Sequence, residues 1–201
     1  MTILTVPRSI EKTLVIGSFS GKIDKLLRAQ TMISNYDLTV FNGGLYYPFQ
    51  DMKIVEPNLD IIQACVATGK AVYCLSHHDE MLIGGLLVNT DHRVCDFFAQ
   101  CPNVVETAFS NGHKILVMNG GITPKITRKK LESDTEISFI DQFGNKPWHE
   151  SYDGRFGYVI SNNPITSANP QFHNFSAQIG STQEIYAQEA DQFGLKRTIV
   201  L

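Results

Sequence analysis

Two histidines and two carboxylates stand next to one another directly after a short apolar run. His77, His78, Asp79 and Glu80 follow residues 72–75, which are Val, Tyr, Cys and Leu. Imidazole and carboxylate groups transfer protons and bind metal ions. A run of β-prone residues that ends in such groups predicts a strand that delivers them at its C-terminal end, where open α/β folds place their sites.

Two strand–helix units precede this strand. Each begins with a short apolar run that ends in glycine, and each continues into a segment with the apolar spacing of an amphipathic helix. The first half of the chain therefore has the pattern β-α-β-α-β. Its predicted elements are strands at 13–16, 38–41 and 72–75, a helix after the first strand, a second helix that Pro57 and Asn58 open, and a third helix over 79–88 that Gly84 and Gly85 weaken.

The second half has shorter apolar runs separated by turn residues, which is typical of hairpin-like strands. Helix-covered strands followed by such strands predict an α/β fold with two packed sheets and helices outside them. The length of 201 residues suits a single domain over 1–201. Strands are predicted at 115–118, 156–160, 174–179, 184–188 and 197–201, and residues 127–148 as an irregular insertion or a small helix.

Composition excludes several classes of protein. A hydrophobic fraction of 43% and a charged fraction of 18% exclude a disordered chain, and the net charge of −3 excludes general attraction to nucleic acid or anionic membrane. No apolar run approaches the roughly 20 residues that span a bilayer. The four cysteines show no C-x-x-C spacing, which favours reduced thiols. We expect a cytoplasmic protein with no nucleic-acid or membrane partner.

The segments that end the predicted strands resemble, in their order, the sites of the calcineurin-like metallophosphoesterases, especially the protein-phosphatase and diadenosine-tetraphosphatase branch. Their separations suit one strand–helix unit each, which needs about 30 residues. The resemblance covers residues 13–201 and implies a two-sheet sandwich flanked by helices (αββα). The matching segments are Gly17-Ser18-Phe19-Ser20-Gly21, Gly43-Gly44, Ser76-His77-His78-Asp79, Asn119-Gly120-Gly121 and Asn162-Asn163.

The residues at the family's metal-ligand positions depart from the family's pattern. Two divalent cations about 4 Å apart repel by roughly 15–20 kcal/mol at an effective dielectric constant of about 20, and bridging carboxylates must offset that repulsion. Neutral hydroxyl and carboxamide groups do not offset it, so we expect no metal ion and no cofactor. The ligand positions hold Ser18, Ser20, Gly44, His77, Asn119 and Asn163, whereas His78 and Asp79 keep the positions of the family's acid and its orienting carboxylate.

The resemblance therefore implies a catalytically inactive phosphoesterase fold that serves as a protein-interaction or structural module, bound to a protein partner or to its own copies. The alternative is a divergent phosphoesterase with a reduced metal site around His77, His78 and Asp79. A third interpretation is a metal-free sensor that binds a nucleotide or phosphate at the turn of residues 17–21. The aromatic cluster at residues 46–49 is either a partner contact or a plug in the former metal cleft.

Overall fold

The computed structural model describes residues 3–10, 12–17, 23–46, 51–84, 92–109, 114–119, 158–161, 176–178 and 198–200. The strands are β1 (Ile3–Ile10), β2 (Thr13–Ile16), β3 (Leu38–Asn42), β4 (Ala71–Cys74), β5 (Val104–Phe109), β6 (Lys114–Met118), β7 (Tyr158–Ser161), β8 (Ser176–Gln178) and β9 (Thr198–Val200). The helices are α1 (Ile23–Met32), a 3-10 helix (Ile33–Asn35), α2 (Met52–Ala67), α3 (His77–Ile83) and α4 (His92–Ala99). In this part of the chain no helix has both the length and the apolar character needed to cross a membrane.

The first sheet contains four parallel strands in the order β4-β3-β2-β9. Every residue of β2 and β3 is buried, as expected of central parallel strands that are covered on both faces. Parallel neighbours need a crossover connection, and α1 and α2 provide the two between β2, β3 and β4. The segments that follow these strands therefore begin at the same edge of the sheet.

The main core lies between one face of the first sheet and the helices. Alternate strand residues point to the same face of a sheet, so Leu14 and Ile16 of β2 share one face, and Phe41 and Tyr73 belong to the same cluster. The helices contribute apolar side chains at helical spacing. Those contributed by α1, α2, α3 and α4 include Leu26, Ala29, Val55, Leu59, Ile62, Leu82, Val94 and Phe98.

The second sheet has the order β1-β5-β6-β7-β8 and contacts the first. The side-chain amide of Asn42, the last residue of β3, donates to the carbonyl of Met118 at 3.0 Å. The amide of Asn119, which follows β6, donates back to the carbonyl of Asn42 at 3.1 Å. The thiol of Cys74 in β4 contacts the carbonyl of Val117 at 3.6 Å. These contacts confirm an α/β structure with two contacting sheets and helices on the outer face of the first.

Most predicted elements of the first half are confirmed. β2, β3 and β4 lie within one residue of the predicted strands, and α1 follows β2. In the second half β8 and β9 lie within the predicted strands, and β6 and β7 each extend one residue beyond them. β1, α4 and β5 were not predicted. The strand predicted at 184–188 and the insertion predicted at 127–148 lie outside the described residues.

The start of α2 differs from the prediction. The helix begins at Met52, and Pro57 lies inside it rather than at its start. Asp51 caps the helix, because its side chain accepts a hydrogen bond from the Lys53 N–H at 3.0 Å. Proline costs a helix only the hydrogen bond of its missing N–H and a local clash, and the packing of α2 outweighs that cost here.

Two further predictions need correction. α3 begins at His77, not at Asp79, and ends at Ile83 with Gly84 as its cap, so the first glycine ends the predicted helix instead of weakening it. The later strands are not a set of hairpins: β6, β7 and β8 pair in parallel, and β9 joins the first sheet beside β2. The antiparallel pair among the described strands is β5 with β6.

Candidate functional site

The ends of three strands meet at one place. Gly43, after β3, has φ +73°, which suits glycine, and it packs against residues that follow β4 and β6. A Cβ atom on Gly43 would lie 2.5 Å from the Cβ of Ser76 and 2.7 Å from the side-chain nitrogen of Asn119. These contacts bring both sheets to the start of α3, which carries His77, His78 and Asp79.

Asp79 is fully buried and accepts hydrogen bonds from four donors. Its Oδ2 accepts from the Ser76 N–H, the Ser76 hydroxyl and the Tyr73 hydroxyl, each at 2.8 Å. Its Oδ1 accepts from the Tyr46 N–H at 3.4 Å. Both carboxylate oxygens therefore bond to groups of the chain itself.

Ser76 and Asp79 together form a capping box at the start of α3. The Ser76 hydroxyl accepts from the Asp79 N–H at 3.4 Å, and the Asp79 carboxylate accepts from the Ser76 N–H. Two N–H groups that a helix start leaves without partners are thereby bonded. The contacts of Asp79 are thus those of a residue that fixes where α3 begins.

Tyr73 connects this network to the segment after β3. Its hydroxyl donates to Asp79 and accepts from the Leu45 N–H at 2.9 Å. Burial and the neighbouring carboxylate raise the pKa of Tyr73 well above its ordinary value, so the phenol keeps its proton. Its ring stacks on Phe98 of α4 at 5.7 Å between centroids.

Burial raises the pKa of Asp79 to about 6, although its hydrogen bonds from Ser76, Tyr73 and Tyr46 act in the opposite direction. A carboxylate in an apolar interior loses its hydration, and donors replace only part of it. Asp79 therefore changes its protonation in a pH range where most carboxyl groups are already ionised.

His77 and His78 are half-buried, and their rings lie 3.5 Å apart between centroids. Burial lowers the pKa of His77, and a hydrogen bond with the Asn119 side chain opposes this shift. Burial and, to a lesser extent, the neighbouring His77 lower the pKa of His78 to about 4. At neutral pH the two imidazoles are therefore uncharged, which allows them to lie side by side.

The structure brings together five of the predicted site positions. Gly44 follows Gly43 at the end of β3, Asn119 forms a hydrogen bond with His77, and Asp79 accepts from the Tyr46 N–H two residues after Gly44. The ring of His78 lies against that of His77 at an angle of 35°. Ser18, Ser20 and Asn163 lie outside the described residues, as do residues 47–49 of the predicted aromatic cluster.

Several residues of the site were not predicted. Tyr73 was predicted as a strand residue, and Asn42 and Gly43 were predicted only as part of a turn, because nothing in the local pattern shows which distant group each contacts. Ser76 had a readable signal: serine followed three residues later by an acidic residue is the pattern of a capping box. That pattern also predicts the helix start at His77.

The described residues of the site contain few groups of the kinds that bind metal ions. Among the described residues no three His, Cys, Asp or Glu side chains lie together in a way that could hold a metal ion. Asp79, the carboxylate among the predicted site residues, has both oxygens bonded within the chain and is fully buried. The chemistry open to these residues is hydrogen bonding and proton exchange at His77, His78 and Asp79.

Neither the protein-family models nor the curated protein sequences contain a significant match to this chain. The function is therefore inferred from the residues and their contacts.

Proposed function

We propose that the chain is a metallophosphoesterase-like domain that has no catalytic metal centre and serves as a cytoplasmic protein-interaction or structural module. The order of the strand-end segments supports the relationship to that fold, because β2, β3, β4 and β6 end in the segments that resemble the family's sites. The αββα arrangement is part of the proposal. A fold does not determine function, so the site decides the activity.

The observation that carries the proposal is the closed hydrogen-bond network around Asp79. Four donors of the chain bond its two oxygens, and the Asn119 side chain bonds to the backbone of Asn42 and to His77. Replacing these bonds by a metal ion would require breaking a helix cap and a contact between sheets. Each lost bond to a buried group costs about 1–3 kcal/mol.

One observation favours the alternative, a divergent phosphoesterase with a reduced metal site. His77 and His78 lie side by side and are uncharged at neutral pH, as metal-binding imidazoles must be. Two imidazoles alone are a weak site, since bound metals in proteins usually have three or more protein ligands. Asp79 would have to leave its buried network to become the third.

An activity assay separates the two functions. With added manganese, we expect the purified protein to hydrolyse p-nitrophenyl phosphate no faster than its His78→Ala variant does. The reason is that an acid at His78 contributes nothing to the rate if no metal-activated nucleophile attacks the phosphate. A manganese-dependent rate at least about tenfold above that of the variant would favour the phosphoesterase.

Association in solution tests the interaction role. Sedimentation velocity over a range of protein concentrations is expected to show self-association, or affinity capture from the source cells is expected to recover a stoichiometric partner whose complex can be rebuilt from purified components. A strict monomer from which no such complex can be rebuilt would contradict the interaction role.

A further inference from the structure

A cavity lies between the C-terminal ends of α1 and α2. Its volume is about 320 Å³, near the lower end of the roughly 300–1,000 Å³ in which proteins hold small ligands. Because the helices run opposite to the parallel strands, this end of the layer is remote from the strand ends that carry His77 and His78. The lining residues are Gln30, Ile33, Ser34, Ala64, Cys65, Thr68 and Lys70.

The inner part of the cavity is apolar. Ile33 is 4% exposed and Cys65 is 2% exposed, and both belong to the main core. Burial raises the pKa of the Cys65 thiol, so this side chain is uncharged and behaves as a small apolar group. Ala64 of α2 is exposed and also lines the cavity.

The backbone acceptors nearest the cavity are already bonded. The carbonyl of Cys65 accepts from the hydroxyl of Thr68 at 2.6 Å and from its N–H at 3.2 Å. The carbonyl of Val66 accepts from the Gly69 N–H at 3.0 Å. These two carbonyls are therefore already occupied as acceptors.

The rim instead offers donors and a positive charge. The Lys70 ammonium has three protons, and its contact with the Ser34 carbonyl is long, at 3.4 Å. The Gln30 amide and the Ser34 hydroxyl line the same rim. Among the described residues that line the cavity, none is Asp or Glu. An apolar interior below a cationic, donor-rich rim matches a molecule with an apolar body and an anionic head.

We propose that this cavity binds a small organic anion, with its carboxylate on Lys70 and its apolar body against Ile33 and Cys65. The site is independent of the proposed interaction role, since none of its residues belongs to the network around Asp79. Benzoate is a suitable probe, because it combines a flat apolar ring with one carboxylate. Benzamide has the same shape without the charge.

NMR titration of the isotope-labelled protein tests the site. Benzoate is expected to shift the amide signals of Ala64, Cys65 and Lys70 with a Kd of about 1 mM. Lys70→Met, which keeps most of the side-chain length, is expected to weaken binding about threefold to fivefold, as the loss of an exposed ion pair does. Ala64→Leu is expected to abolish binding by filling the opening.

Two controls make the result decisive. Lys53→Met removes an exposed lysine at the other end of α2 and is expected to leave benzoate binding unchanged. Benzamide is expected to bind more weakly than benzoate and to be insensitive to Lys70→Met. Absence of saturable binding up to about 20 mM overturns the site. Equal binding of benzamide, or unchanged binding in Lys70→Met or Ala64→Leu, overturns the proposed ligand or its place.

Discussion

The Tyr73 hydroxyl lies between a backbone N–H and a carboxylate and bonds to both. Tyr73→Phe is expected to lower the free energy of unfolding by about 1–3 kcal/mol, because it leaves the buried Leu45 N–H without its acceptor and removes one of the donors to Asp79. Urea denaturation at neutral pH measures this change. The ring and its packing on Phe98 are retained, so the loss reports the hydroxyl alone.

Tyr36→Phe is the matched control. Tyr36 is also a buried tyrosine of the main core, but its hydroxyl makes none of the hydrogen bonds of the Asp79 network. Its replacement is expected to change stability by less than about 0.5 kcal/mol. Equal losses in the two variants would mean that the Tyr73 hydroxyl does not hold the network together.

The raised pKa of Asp79 predicts a pH-dependent contribution to stability. Because its pKa in the folded chain, about 6, lies above its ordinary value of 3.8, the protonated carboxyl stabilises the fold at low pH. This contribution, up to about 3 kcal/mol, is lost as the pH rises from about 4 through about 6. Asp79→Asn removes it, so the stability of the parent relative to the variant is expected to fall over that range in urea denaturation.

Comparison with Asp79→Asn is needed because protonation of the histidines changes the stability with pH in the opposite direction. The lowered pKa values of His77 and His78 stabilise the fold above about pH 6.5, and this contribution is lost as the pH falls toward about 4. Asp24→Asn, which removes an exposed carboxylate of α1, controls for the change of charge. A parent-minus-variant difference that is constant with pH would contradict the raised pKa.

At the residue scale, the sequence indicated where the site lies but not how its members bond. The run from His77 to Asp79 was predicted to follow a strand, and it does. The role of Asp79 in fixing the start of α3 depends on Tyr73 and Tyr46, and the Tyr46 contact spans 33 positions of the chain. A remaining catalytic role for His78 and Asp79 stays a prediction of the alternative function.

Among the elements, the end of β3 is the most constrained. Gly43→Ala is expected to cost about 3 kcal/mol or more, because its Cβ would overlap Ser76 and Asn119 in addition to adopting a positive φ. Thermal and urea unfolding measure the loss. The same substitution is expected to disturb the contact between the sheets, which NMR signals of Asn119 would report.

Gly69→Ala separates the cost of the positive φ from the cost of the steric overlap. Gly69 has φ +71°, close to that of Gly43, but no atom lies within 4 Å of the position its Cβ would take. Replacing Gly69 by Ala is expected to lower stability only by the cost of a positive φ in a residue with a Cβ atom, about 1–2 kcal/mol. Comparable losses at the two positions would show that the three strand ends are not packed as described.

Elements were predictable where their signals are local. The units β2-α1-β3-α2-β4 follow from apolar runs, glycine turns and helical spacing within about 30 residues each. β1 contains Pro7 and has a break in its pairing with β5, so its pattern is interrupted. β9 pairs with β2, which is more than 180 positions away in the sequence, and no local sequence pattern indicates this pairing.

At the scale of the molecule, the two sheets contact each other through neutral side chains. The reciprocal amide bonds of Asn42 and Asn119 connect the sheets, and the capping box of Asp79 fixes the helix that begins beside them. The sequence predicted two sheets with outer helices. It did not predict these contacts, because asparagine and glycine are also common turn residues.

Metal binding tests the central claim most directly. Chelator-treated protein would be titrated with manganese and with zinc by calorimetry, beside His78→Ala and, as a control for stray surface binding, His92→Ala. We predict that the parent protein shows no His78-dependent metal binding with a Kd below about 10 μM. His78→Ala is therefore expected to remove no such binding. Binding tighter than this that is lost in His78→Ala but kept in His92→Ala would contradict a domain without a metal centre and favour the divergent phosphoesterase.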